Sequence, residues 1–107
     1  VRFDARNKWQ GQIGEAGGFC VFSDRVWGER AVRLILAAYG RRGLMLGQGI
    51  ACYAPAHEND VAVYVRAVVA KSGVGESVRL AGLSAGQVDA VVGSIFIHEG
   101  WVVGEMR

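Results

Sequence analysis

Three stretches of this chain repeat apolar residues at helical spacing, and each stretch is bounded by glycine. In the first, Trp27, Ala31, Leu34, Ile35 and Ala38 follow an i, i+4, i+7, i+8, i+11 pattern, which is one face of an amphipathic helix. Arg25, Glu29, Arg30 and Arg33 decorate its other faces, Ser23 or Asp24 can cap its start, and Gly40 or Gly43 can end it. The second stripe is Val61, Tyr64, Val65, Val68 and Val69, with Asn59 as the expected N-cap and Gly73 as the stop. Its valines favour a strand, but the 3.6-residue spacing and the length favour a helix. The third carries Val88, Val91, Val92, Ile95 and Phe96 behind Ser84 and Gln87, which read as an S-x-x-Q capping box. A shorter apolar segment, Leu44 to Tyr53, is stopped by Pro55 and weakened as a helix by Gly47 and Gly49.

The remaining segments are turn-rich. Gly11, Gly14, Gly17 and Gly18 break up the first 22 residues, while Phe19, Val21 and Phe22 are strong strand formers. Two short strands are expected, Val1 to Phe3 and Phe19 to Phe22, with Trp9 on the loop between them. Residues 74–83 form a polar connector anchored by Leu80 and Leu83. The expected class is therefore mainly α (α+β), one helical domain over 1–107 with a small N-terminal β-hairpin. Sixteen glycines against one proline fit helices joined by glycine turns.

Composition narrows the function classes only a little. With 51% apolar and 21% charged residues the chain is of ordinary globular type. A net charge of +2 fits a protein that meets an anionic polymer and fits an indifferent surface equally well. There is no run of eighteen apolar residues, so no membrane span is expected. No charged segment followed by an apolar one opens the chain, and a start at Val1 rather than Met leaves a lost leader or lost N-terminal residues open. Cys20 and Cys52 lie far apart in apolar surroundings and read as two buried free thiols, with a single bridge as the alternative.

Glu99 is the acid most suited to chemistry. It stands at the end of an almost wholly apolar helix, between Phe96 and Trp101. Lost hydration and the negative end of the helix dipole both disfavour its charged form, and a glycosidic general acid needs such a carboxyl near neutral pH. The alternative is an exposed Glu at a frayed helix end. His98 adjoins Glu99 and His57 adjoins Glu58, but there is no H-E-x-x-H and no third close ligand, so neither a metal nor another cofactor is expected. Glu58 and Asp60 read as complements to a helix dipole and as weak candidates for a second catalytic carboxylate. Trp9, Tyr53 and Trp101 are candidate sugar-stacking rings, with Trp9 and Tyr53 in or beside loops, whereas Trp27 belongs to a core stripe. Arg25, Arg30, Arg33, Arg41 and Arg42 form either a basic patch or a solvated helix face.

Several short motifs recur in a fixed order: Trp9-Gln10-Gly11, Gly18-Phe19, Phe22-Ser23, Gly28-Glu29-Arg30-Ala31, Tyr39, Gly43-Leu44, Tyr53-Ala54-Pro55, Glu58-Asn59-Asp60 and Tyr64-Val65. In order and spacing, over nearly the whole chain, they resemble a family of small phage and prophage proteins often described as virion or structural proteins. The family's Asn-Pro-x-Asn motif before the first strand is missing, and His98-Glu99-Gly100 lacks the Asn of the family's terminal segment. The layout also looks like the bacterial glucosaminidase and lytic transglycosylase group, in which a helix ends in a catalytic Glu within a Glu-Ser-Gly-Trp-Gly-like segment. Glu99-Gly100-Trp101 is similar to that segment without its Ser, and comes last rather than first. Trp9-Gln10-Gly11 resembles the group's Trp-x-Gly turn, and Tyr53-Ala54 its groove-lining Tyr-Ala.

The resemblance implies a rearranged lysozyme-like domain that cleaves peptidoglycan glycan strands. Glu99 would be the acid, and Trp9, Tyr53, Glu58, Asn59 and Trp101 would meet the substrate. It implies peptidoglycan or another glycan as partner, together with other virion proteins, and a passage from host cytoplasm to virion or cell wall. A non-catalytic virion or glycan-binding protein of the same fold is the alternative. A nucleic-acid-binding module rests on the arginines alone and predicts steep salt dependence.

Overall fold

The computed structural model describes residues 1, 4–16, 19–54 and 60–99. Strands β1 (Gln12–Ala16) and β2 (Phe19–Phe22) pair antiparallel, with a register shift between Gln12 and Gly14. Helices α1 (Arg25–Arg41), α2 (Leu46–Tyr53), α3 (Val61–Ser72) and α4 (Ala85–Glu99) follow, with one 3-10 turn, Leu80–Gly82, before α4. The protein is mainly helical. The expected strand Val1 to Phe3 falls on residues 2 and 3, outside the described part, and the described hairpin begins at Gln12. Val1 is buried instead, and its carbonyl accepts from the Cys20 N–H at 2.8 Å. Trp9 precedes β1 in the described hairpin.

Two of the expected stripes form as read. α3 buries Tyr64, Val65 and Val68, and α4 buries Val91, Val92, Ile95 and Phe96. These two helices pack along each other and form the largest helix–helix interface of the described residues. The capping box before α4 is present: the Ser84 N–H donates to Gln87 Oε1 at 2.9 Å, and the Gln87 N–H to Ser84 Oγ at 3.2 Å. Gly73 ends α3 in the left-handed conformation with its N–H on the Val69 carbonyl.

Other local expectations shift. α1 is rotated about its axis: it buries Gly28, Ala31, Val32, Leu36 and Gly40, and leaves Leu34 43% exposed. Small residues draw neighbours close, so the contact face follows Gly28, Ala31 and Gly40 rather than the bulkiest side chains. Gly40 is not the helix stop, since α1 continues to Arg41; its value is a close approach, as a Cβ there would sit 3.1 Å from the Ala81 amide nitrogen. The turn falls at Gly43, φ +79°. Asp24 caps α1, accepting from the Val26 N–H. Asp60, not Asn59, caps α3 by accepting from the Val63 N–H.

α2 forms despite Gly47 and Gly49 because the connector before α4 satisfies its first donors. The Leu46 and Gly47 N–H groups donate to the Val78 and Glu76 carbonyls, each at 2.9 Å. Gly49 is what lets Leu80 seat, since a Cβ there would lie 2.7 Å from Leu80 Cδ1. One continuous core results, with Phe96, Leu46, Ile50, Ile95 and Val68 among its fully buried members. Cys20 is buried and Cys52 exposed, both as free thiols, so only the first of the two expected buried thiols is one. Among the described residues no helix is long and apolar enough to cross a membrane.

Gly11 joins the hairpin to α1. It has φ +81°, and a Cβ on it would lie 2.1 Å from Trp27 Cγ. Gly11→Ala is expected to lower unfolding free energy by about 2 kcal/mol or more, combining strain with overpacking. Gly14→Ala, where nothing lies within 4 Å, is expected to change it by less than about 1 kcal/mol. Urea unfolding of the two variants beside wild type measures the difference.

Candidate functional site

Glu99 is the last residue of α4 and is partly buried. The helix pair dictates what it meets. Tyr64 projects from the buried face of α3, and its hydroxyl donates to Glu99 Oε2 at 2.9 Å. The His98 ring lies against Tyr64, with centroids 4.1 Å apart and planes inclined at 50°. Tyr53, the last residue of α2, brings a second phenol. Its hydroxyl is buried and makes no close hydrogen bond among the described residues, yet it lies near enough to Glu99 and Tyr64 to feel both. Glu99 also lies within electrostatic reach of the Val1 nitrogen. The carboxylate is therefore neither frayed nor fully solvated.

Burial is the first cause that pushes the Tyr53 and Tyr64 phenols well above the usual tyrosine range, and the Glu99 charge is the second. Both phenols stay protonated, so each faces the carboxylate as a neutral O–H. Tyr39 is raised as well, chiefly by burial.

Beside this cluster is a cleft of about 220 Å³ lined by Val1, Asp4, Asn7, Trp9, Ile35, Tyr39, Cys52 and Tyr53. The two rings singled out in the sequence, Trp9 and Tyr53, thus share one cavity although 44 positions separate them in the numbering. Trp9 is held by a reciprocal main-chain clasp. Its N–H donates to Gln12 Oε1 at 3.0 Å, and the Gln12 N–H donates back to the Trp9 carbonyl at 3.1 Å. Tyr53 is the structural link, since it lines the cleft and lies beside Glu99.

Three expected substrate contacts, Glu58, Asn59 and Trp101, lie outside the described residues. Asp60, the other candidate for a second carboxylate, is occupied as the α3 cap. Two contributors escaped the sequence reading. Tyr64 was counted as a stripe residue, and it is both core and hydrogen-bond donor. Asp4 sits in a polar turn with no periodicity to mark it, and the only available signal was the i, i+2 spacing of Asp4 and Arg6.

Two of the five arginines have carboxylate partners. Arg25 pairs with Glu29 at 2.9 Å and stands 4.9 Å over the Phe96 ring, and Arg33 pairs with Asp89. No group of three or more His, Cys, Asp or Glu side chains converges on a common point among the described residues. Compared with family models, with curated proteins and with solved structures, the chain has no match.

The buried phenols set a pH dependence. In the folded state they keep their protons above the pH, near 10, at which an unfolded chain loses them. The unfolded state then binds fewer protons than the folded one, so stability falls as pH rises beyond about 10. Ultraviolet titration is expected to show Tyr53 and Tyr64 resisting ionisation until the chain unfolds. Tyr64→Phe removes the donor to Glu99 and is expected to cost about 1–3 kcal/mol by urea unfolding, with the delayed component reduced to that of Tyr53.

Proposed function

We propose that the cleft binds a peptidoglycan glycan strand and that Glu99 protonates the glycosidic oxygen as general acid. What supports this reading is one juxtaposition: Tyr53 lines a cleft that also holds Trp9, and the same side chain lies against Glu99. Flat rings cover the apolar face of a pyranose, and a partly buried carboxyl beside them is the group a glycosidase needs. Tyr64 restrains Oε2 and so orients the carboxyl.

In the mechanism, Glu99 gives its proton to the leaving oxygen as the glycosidic bond breaks. In a lytic transglycosylase the resulting carboxylate then takes a proton from a hydroxyl of the same sugar, which closes a 1,6-anhydro ring. That route uses a single carboxylate. The reading includes a rearranged lysozyme-like domain of phage or prophage origin, working in the virion or at the cell wall, and rests there on the motif resemblance.

A second reading is a non-catalytic virion or glycan-binding protein. It is favoured by the absence of Glu99 from the residues that line the cleft, and by the Tyr64 hydroxyl already on its carboxylate. Both readings use Trp9 and Tyr53. They separate at Glu99.

Turbidity loss of purified peptidoglycan is expected with wild type and not with Glu99→Gln at matched concentration and matched circular dichroism. The drop in rate should be about a hundredfold or more. Binding to the wall without clearance by either protein overturns the catalytic role and leaves the binding reading.

A further inference from the structure

The lining of the cleft holds one polar device that the function above does not use. Residues 4–7 form a tight turn, closed by the Asn7 N–H on the Asp4 carbonyl at 3.0 Å. Within it the Asp4 carboxylate is gripped from one side. The Arg6 main-chain N–H and Nε donate to Oδ1 at 2.9 and 3.2 Å, and an Arg6 terminal nitrogen donates to Oδ2 at 3.2 Å. A carboxylate offers about four acceptor directions, and Arg6 takes three. Asp4 therefore remains an acceptor, and it lines the same cleft as Trp9 and Tyr53. Arg6 lies outside the cleft lining, and its charge offsets that of Asp4 locally. The edge is thus polar but close to neutral, which suits hydroxyl groups better than ionic ones.

We propose that Asp4 is a specificity-determining residue: its carboxylate accepts from the 3-hydroxyl of the sugar whose face lies on Trp9 and Tyr53. This rests on the glycan-cleft reading and names the sugar. In a peptidoglycan strand two N-acetylated hexosamines alternate, and one carries its 3-hydroxyl as a lactyl ether. An ether cannot donate. The seat beside Asp4 consequently takes the N-acetylglucosamine unit, and the ether-bearing unit falls on the neighbouring position of the strand. The Arg6 clasp favours one orientation of the carboxylate, so less rotamer freedom is lost when the sugar arrives. Arg6 also keeps the carboxyl ionised by donating to it.

The test is calorimetric titration of the intact chain with the N-acetylglucosamine trimer and with the same trimer methylated at its 3-hydroxyls. Wild type is expected to prefer the hydroxyl form by roughly tenfold or more, the range of one hydrogen bond to a charged group. Asp4→Ala is expected to lose that preference while a folded spectrum is kept, because Asp4 is exposed. Arg6→Gln retains the acceptor and frees its rotamers, so it should weaken binding several-fold and keep the preference. A wild type that binds both trimers equally, or an Asp4→Ala variant that still discriminates, overturns the role of Asp4 and leaves the glycan cleft standing. A wild type that binds neither trimer, nor peptidoglycan, overturns the cleft reading and Asp4 with it.

Discussion

The packing of α3 on α4 governs where Glu99 and Tyr64 end up. Valines and an isoleucine form most of this seam, and β-branched side chains have few rotamers to exchange on a helix. Val65, Val68, Val91, Val92 and Ile95 interlock there with very little exposure. The seam fixes how far α4 extends past α3, and that offset brings Tyr64 within 2.9 Å of the last α4 carboxylate. A register slip of one turn would carry Glu99 about 5 Å away and break the contact. Phe96, three residues before Glu99, is fully buried and carries Arg25 over its ring, which ties α1 to the same end of α4.

A second constraint sets Tyr53. α2 is only eight residues long and holds two glycines, so it has little helical stability of its own. Its first donors are met by the Glu76 and Val78 carbonyls, and its middle is pressed against Leu80 through the gap at Gly49. The connector between α3 and α4 therefore positions α2, and α2 ends at Tyr53. Through this route the polar connector, far from the cleft in sequence, determines which ring lines it. The Trp9 side of the cleft is set separately by the Gln12 clasp and by Gly11, whose left-handed backbone accommodates Trp27.

Periodicity made α3 and α4 legible because both bury large apolar residues at regular spacing, and the Ser84 and Gln87 pair announced where α4 begins. α1 was legible as a helix but not in its orientation. Its burial is decided by Gly28, Ala31 and Gly40, which carry almost no hydrophobic signal. α2 was obscured by the same fact, since Gly47 and Gly49 read as helix breakers while their value is the close approach they permit. At the site, Trp9 and Tyr53 could be picked as exposed-side rings, but their meeting depends on non-local packing that spacing does not encode. Tyr64 was hidden in its stripe because one residue performs two tasks, its ring filling the core and its hydroxyl reaching Glu99. Asp4 carried no pattern at all, as its geometry comes from a turn and a single side-chain clasp.

The choice of a phenol as the partner of Glu99 has a chemical consequence. An acid that gives a proton in one step and takes one in the next must hold its position in both states. Lys or Arg in place of Tyr64 could only donate, and would bind the carboxylate far better than the acid. A tyrosine hydroxyl can donate to a carboxylate oxygen and can also accept from a carboxylic acid. Burial keeps that hydroxyl protonated, because a phenolate next to Glu99 would place two negative charges in a poorly hydrated space. Tyr64 can therefore follow Glu99 through a change of protonation with a rotation of one O–H bond and no movement of the core behind it. The buried phenol at Tyr53 brings a second neutral group near the same carboxyl.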